Sequence, residues 1–223
     1  MSDHHAVLTG GVWCPNNGKL PARAESDVYL TPKAVVEVAL QFLKEQVDDG
    51  SLFSDWTWDA GSKRPWRILD LGAGEGAWGE AAREHWPSAF IHGVELRRVT
   101  KPASYSLWSI IDMQEWNQCY AAQPFDIVIG NPPYCLAEQA VRIGLERVRD
   151  GGYVMQLLPI TFLTSQGRRD GLFKEYPLYS YAQYSQRISW TDNGKTPPRD
   201  HALYLWKKGW GGPWEGHFLP NAK

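Results

Sequence analysis

Cysteine is scarce in this sequence: Cys14, Cys119 and Cys135 are the only three, at irregular spacing. Neither a disulfide framework nor a CxxC zinc site can be assembled from them, and a reducing cytoplasm suits them best. Long apolar runs are missing as well. None approaches the roughly 18 residues that cross a bilayer, so no membrane partner is expected, and the polar N-terminus shows no leader pattern. His4 and His5 lie near Cys14 without tetrahedral ligand spacing, so no metal is expected. Internal repeats and low-complexity tracts are absent. A strong excess of one charge is lacking too, the net charge being −2.

What is present is ordinary in bulk and uneven in detail. Apolar residues make up 43% and charged residues 22% of 223 positions, which suits one globular domain with a sizeable core. Residues 1–131 carry 11 Lys/Arg against 17 Asp/Glu, whereas residues 132–223 carry 12 against 8. The basic C-terminal third, including Arg168, Arg169, Lys174, Arg187, Lys195 and Arg199, is compatible with a phosphate backbone as partner. There are twelve tryptophans, and Trp13 and Trp190 sit in polar segments where a core role is not obvious.

Residues 1–26, rich in Gly, His, Asn and Pro, show no periodicity and predict an N-terminal arm or extension, with a single domain over 27–223. Thr31 and Pro32 read as an N-cap and first helical residue. Val35, Val36, Ala39, Leu40 and Leu43 then share one face of a helix predicted from Pro32 to Val47. A polar connection from Asp48 to Pro65 leads to a buried strand, Arg67 to Leu71. Gly72, Gly74 and Gly76 follow in a loop, and a helix is predicted from Ala77 to Trp86. This is a nucleotide-binding βα turn in outline. Glu75 in the loop argues against a pyrophosphate ligand and for a cationic cofactor without phosphate, because like charges repel.

A strand from Ala89 to Val94 delivers Glu95 about 20 residues after the loop, where a carboxylate can accept from ribose hydroxyls. Asp112, after Ile110 and Ile111, is placed to end a third strand, either as an acceptor for an adenine amine or in a purely structural role. Phe125 to Tyr134 reads FDIVIGNPPY. An apolar strand there stops abruptly in a stiff turn that presents Asn131, Pro132, Pro133 and Tyr134. Beyond it come a helix from Ala137 to Val148, a stop at Asp150 to Gly152 and a strand from Tyr153 to Leu158. Two antiparallel strands are predicted at Tyr179 to Tyr184 and Ala202 to Trp206.

Together these stretches resemble the S-adenosylmethionine-dependent methyltransferases, and specifically the DNA adenine-N6 methyltransferases. DLGAGEG at 70–76 is similar to their cofactor loop, Glu95 to their ribose-binding acid, NPPY at 131–134 to their catalytic motif and YLTP at 29–32 to the motif that precedes the loop. RISWTDNGKTPPRDHALYLW at 187–206 resembles the C-terminal segment of small phage-type enzymes. The resemblance spans roughly residues 27–208. It implies a Rossmann-like α/β fold with a mainly parallel seven-stranded sheet and an antiparallel last hairpin.

It further implies S-adenosyl-L-methionine as cofactor, held by Tyr29, Thr31, Asp70, Gly72, Ala73, Gly74, Glu95, Leu96, Asp112, Met113 and Asn131. Asn131, Pro132, Pro133 and Tyr134 become catalytic, and DNA the partner, with Trp190, Lys195 and Arg199 as substrate contacts. Trp190 is the candidate second aromatic wall, with core packing as its alternative. Larger enzymes of this order continue into a target-recognition domain, yet fewer than twenty residues follow Trp206, so sequence selection is expected to be weak or supplied by loops. NPPY also occurs in enzymes that methylate adenine in RNA or glutamine in proteins. The glutamine enzymes carry an N-terminal helical domain that this sequence lacks. A non-catalytic nucleic-acid-binding protein on the same fold is the alternative of a different class.

Overall fold

The computed structural model describes residues 30–47, 57–58, 62–190 and 200–222. The predicted N-terminal arm, Tyr29, Lys195 and Arg199 lie outside these residues. Six helices and eight strands of one sheet carry the structure. They are α1 (Lys33–Val47), β1 (Arg67–Leu71), α2 (Ala77–His85), β2 (Phe90–Glu95), β3 (Leu107–Ile110), α3 (Met113–Cys119), β4 (Phe125–Gly130), α4 (Ala137–Arg147), β5 (Val148–Pro159), α5 (Gln166–Asp170), α6 (Leu172–Glu175), β6 (Ser180–Tyr184), β7 (His201–Lys207) and β8 (Glu215–Leu219). Thr57–Trp58 and Ser62–Lys63 form a separate antiparallel pair.

The strand order across the sheet is β8-β6-β7-β5-β4-β1-β2-β3. Pairing is parallel from β5 through β3, while β7 runs antiparallel to both β5 and β6. The mainly parallel sheet with an antiparallel hairpin near its end is therefore as the family resemblance implies. The strand count is eight and not seven, because β8 adds a parallel edge beside β6. This strand, EGHFL, buries only Leu219 fully and lacks clean alternation, so it carries little strand signal.

Central strands are buried on both faces, and their two-residue period sorts side chains into two cores. Ile68, Ile127, Ile129, Met155 and Leu205 join α1 and α2 on one face. Leu69, Leu71, Val128, Val154 and Tyr204 join α3 and α4 on the other. The sheet is thus covered on both sides, which leaves strand ends as the natural place for a ligand.

Two local expectations change. The Pro32 carbonyl accepts from the amide of Val36 at 3.2 Å, so Pro32 and not Thr31 takes the cap position of α1. The predicted stop at Asp150–Gly152 lies inside β5. Gly151 adopts φ 73°, and Gly152 leaves no room for a Cβ, which would fall 2.5 Å from Val148. Backbone bonds between Gly151 and Lys208 and between Lys208 and Gly152 then tie the irregular start of the strand to the end of β7.

Candidate active site

Strand succession runs outward from β1 through β2 to β3, then returns to the other side of β1 at β4. In an open α/β sheet such a reversal separates the loops at the carboxyl ends of the two central strands and opens a crevice. The crevice here holds about 850 Å³ of empty space, including the part open to solvent. It is lined by Gly72, Gly74, Glu95, Leu96, Asp112 and Met113 from one side and Asn131, Pro132, Pro133 and Tyr134 from the other. Ten of the residues singled out in the sequence thereby share one cleft, although they come from four loops.

The loop after β1 sits directly against the NPPY turn. Gly72 has φ 74°, and a Cβ there would lie 3.4 Å from the Pro132 Cα. Gly74, at φ 60°, donates its amide to Glu95 Oε2 at 2.7 Å. The other oxygen of Glu95 accepts from the Arg97 amide at 2.9 Å and from Arg97 Nε at 3.1 Å. Glu95 is thus fixed by its neighbours at one lone pair per oxygen or more. A carboxylate retains further acceptor capacity towards the cleft.

Asp112 accepts from the amides of Gln114 and Glu115 at 2.8 and 3.4 Å and so caps α3. The structural role considered for it is present, and it lines the cleft as well. Ala73 is buried beside the loop glycines.

Asp70, the penultimate residue of β1, has no solvent exposure. Tyr105 donates its hydroxyl to Asp70 Oδ2 at 2.5 Å, and the same hydroxyl accepts the Gly79 amide at 3.0 Å. Asp70 Oδ1 has no hydrogen-bond partner among the described residues. Burial pushes the carboxyl up to about 7; the Tyr105 bond opposes that shift and the Glu95 charge adds to it.

Asn131 donates from Nδ2 to Thr31 Oγ1 at 3.1 Å, and Trp78 Nε1 donates to the same hydroxyl at 3.3 Å. Asn131 Oδ1 is buried without a partner among the described residues. Tyr134 pairs its hydroxyl with His201 Nε2 at 2.8 Å, and the two rings stand 5.6 Å apart. Trp190 meets the other flank of His201 edge-on, with centroids 5.1 Å apart. Trp190 also packs partly against the core, so both roles considered for it have a basis.

No protein-family model matches the chain. Over 102 residues it is 30% identical to the tRNA1(Val) (adenine(37)-N6)-methyltransferase of Aeromonas hydrophila subsp. hydrophila; the match takes in 42% of this chain and 42% of that protein, less than half of either. Solved structures match more widely. A Listeria monocytogenes protein assigned as a class I S-adenosylmethionine-dependent methyltransferase gives a TM-score of 0.58 at 13% identity, over 87% of this chain and 66% of that one. Plantazolicin methyltransferase BpumL, solved with SAH and a substrate analogue, gives 0.53 at 13% identity, over 83% and 89%. Protein Atu636 of Agrobacterium tumefaciens, assigned as an O-methyltransferase, gives 0.51 at 18% identity, over 72% and 81%. The fold is that of the class I methyltransferases.

On this class I methyltransferase fold, several residues that build the site carry no signal in the sequence. Tyr105, which holds Asp70, lies 35 positions away in a segment without a strand or helix pattern. His201, 3% exposed, opens β7 and braces Tyr134 from 67 positions away. Trp78 looks like an ordinary core residue of α2 but shares a hydroxyl with Asn131. The residues present suit a cationic cofactor without phosphate. Glu95 and Asp112 supply acceptors in the cleft, Gly72 and Gly74 line it without side chains, and Glu75 is exposed at the loop.

Proposed function

We propose that the protein transfers a methyl group from S-adenosyl-L-methionine to the N6 amine of adenine in a nucleic acid. The observation that carries this reading is Asn131 Oδ1, a buried acceptor without a partner among the described residues, at the end of β4 across from the glycine loop. Neutral adenine amine is a weak nucleophile because its lone pair is delocalised into the ring. An acceptor at Asn131 Oδ1, with the Pro132 carbonyl as a second, takes the two N–H bonds and turns the lone pair out of the ring plane. The same oxygens stabilise the positive charge that develops on nitrogen, so positioning and electrostatics supply the acceleration.

Tyr134 offers a face on which a base stacks, and an adenine in a duplex must be extruded to reach it, at roughly a few kcal/mol. When bound, S-adenosyl-L-methionine supplies an electrophilic methyl group on a sulfonium. Gly72, Gly74, Glu95, Leu96, Asp112 and Met113, which line the cleft, would hold it, with Asp70 buried beneath the loop.

Two polymers are consistent with this chemistry. DNA is favoured by the likeness of the NPPY order and the 187–206 segment to small DNA enzymes. RNA is favoured by the 30% identity to an enzyme named for a tRNA adenine. The experiment offers tritiated cofactor with single-stranded DNA, duplex DNA, RNA and a protein lysate to the wild type and to Asn131→Ala. Label in adenine, lost in Asn131→Ala while calorimetry still registers cofactor binding, supports the proposal. Label in protein alone, or full turnover by Asn131→Ala, refutes it.

A further inference from the structure

We infer that Arg168 is a phosphate contact for the polynucleotide: its guanidinium, held on a fixed platform beside the Tyr134 flank of the cleft and without an ion-pair partner among the described residues, binds a backbone phosphate next to the target base. The inference deepens the reading above and rests on its nucleic-acid half, not on the chemistry at Asn131.

The sheet sets the position. β5 runs parallel to β4 with Gln156 level with Gly130, so β5 reaches Pro159 three residues further on, at the end where the NPPY turn lies. Pro159 is paired with His201 of β7, and His201 meets the Tyr134 hydroxyl. A short 3-10 turn, Ile160–Thr164, follows at once. Its Phe162 belongs to the core cluster against which Tyr134, Ile160 and Leu163 also pack. This turn therefore borders the cleft on the side of Tyr134.

The same turn makes a platform for a cation. Phe162 is buried and stands edge-on to Phe173 and Tyr204, with centroids 5.9 and 5.4 Å apart. The Arg168 guanidinium carbon lies 4.4 Å from the centre of the Phe162 ring, and its Nε donates to the Phe162 carbonyl at 2.8 Å. Ring and carbonyl together restrict a side chain that would otherwise lose rotamer freedom on binding, so much of the ordering cost is met before a ligand arrives.

Charge balance separates Arg168 from its neighbours. Arg169 and Arg187, singled out beside it in the sequence, meet Asp170 and Asp200 at 2.8 and 2.9 Å. Arg168 meets only carbonyls, that of Phe162 and, at 3.5 Å, that of Thr161. Its Nη1 keeps both donors, and with Nη2 it offers a fork that fits two oxygens of one phosphate. Arg168 does not line the cleft, so the group it holds is neither the cofactor nor the base inside. An anion placed there belongs to a substrate longer than a nucleoside.

The test measures, by fluorescence anisotropy, the binding of labelled single-stranded DNA and RNA oligonucleotides to the full chain. Salt is raised from about 50 to about 200 mM, and each phosphate contact to a single strand adds about 0.7 to the slope of log affinity against log salt. Over that fourfold rise the wild type should lose about 2.6-fold more affinity than Arg168→Gln. Arg168→Lys keeps the charge without the fork, and should bind more weakly than the wild type at low salt with nearly the wild-type slope. Arg169→Gln removes the same charge one residue away and should leave the slope unchanged. Cofactor affinity by calorimetry should stay at the wild-type value in all three variants.

Equal slopes for the wild type and Arg168→Gln would overturn the inference. Equal changes in Arg168→Gln and Arg169→Gln would overturn it as well, because they would mean diffuse surface charge and no seated phosphate. So would a wild type that binds neither oligonucleotide at low salt. Should Arg168→Gln fail to fold, wild-type affinity in Arg168→Lys refutes the contact. The polymer that Arg168→Gln binds less well than the wild type is the one whose phosphate is held. If neither polymer is methylated and the slope difference persists, the adenine reading falls and the contact stands; methylation without a slope difference leaves that reading and removes the contact.

Discussion

Asp70 should make the protein less stable as pH rises, the reverse of what most carboxylates do. Its folded carboxyl is pushed up to about 7 by burial, against an ordinary value of 3.8. Between those values the folded state holds a proton that the unfolded chain has released, so stability declines with pH at about 1.4 kcal/mol per unit. Across roughly three units the loss reaches about 4 kcal/mol, and above about 7 it is constant. Asp70→Asn isolates the effect, because an amide preserves the shape and accepts from Tyr105 without ionising. Urea unfolding of both proteins from pH 5 to 8 should show the variant gaining on the wild type until about pH 7 and then running parallel. Tyr105→Phe removes the bond that opposes the shift, so the upper end of the window should move higher still. Saturating S-adenosyl-L-methionine should flatten the wild-type slope, since a positive group beside Asp70 favours its charged form. A wild-type minus Asp70→Asn difference that does not change from pH 5 to 8 would refute the reasoning, because it would mean that burial leaves this carboxyl ordinary.

Two further perturbations bear on other parts of the molecule. Asp126→Ala should cost about 3–5 kcal/mol in urea unfolding, because it leaves Arg64 and Arg149 without the carboxylate that both bind. Burial raises the Asp126 carboxyl, but bonds from Arg64, the Arg67 amide and Arg149 outweigh it and hold the group below the usual range; its stabilisation is therefore lost as pH falls through that low value, and Asp126→Asn should remove this acid-side loss. Tyr134→Phe and His201→Phe each delete one hydrogen bond at the mouth of the cleft and should each raise the KM for the nucleic acid about fivefold, on the scale of about 1 kcal/mol. The double variant should be no worse than either single one, and additive losses would show that the two side chains act separately.

The central sheet was legible because its strands are buried on both faces, and a short continuous apolar run such as Ile127 to Ile129, cut off by turn residues, fits a doubly covered strand and little else. Arg67–Leu71 is as predicted and the strand predicted from Ala89 to Val94 shifts by one residue, whereas the strand predicted from Tyr153 begins five residues earlier, at Val148. The outer parts were harder to read. β8 is an edge strand with four of its five residues at least partly exposed. α5 and α6 are too short for a helical period to register, and the two glycines that look like a terminator are used inside β5, where one takes positive φ and the other lies close against the Val148 side chain and the Asp126 carbonyl of β4.

The site divides in the same way. Gly72, Gly74, Glu95 and Asn131 to Tyr134 could be singled out because each belongs to a local pattern of turn chemistry at a strand end, and sheet topology then collects strand ends. Tyr105, Trp78 and His201 could not, because what they do depends on partners 35, 47 and 67 positions away. Nothing local distinguishes them from core aromatics. The Thr31 hydroxyl was misplaced for a related reason: a threonine before proline reads as a helix cap, and the claim of Asn131 upon it is visible only in three dimensions.

The contrast between two buried carboxylates indicates why the ligand end of the sheet is built as it is. Asp70 and Asp126 lie on neighbouring parallel strands, one near the carboxyl end of β1 and the other near the amino end of β4, and each is almost wholly buried. Asp126 receives two guanidinium groups and a backbone amide, which together keep it charged. Asp70 receives one phenol, and its second oxygen has no partner among the described residues. Both positions could have been satisfied by arginines had stability alone been at stake, since buried polar groups left unpaired cost about 1–3 kcal/mol. The deficit occurs where the glycine loop and the NPPY turn meet, and a bound cation would complete it. Asp126 therefore ties the far end of the sheet together, whereas Asp70 leaves one buried carboxyl oxygen without a partner among the described residues at the near end, and its burial is the source of the stability expected to be lost as pH rises towards 7.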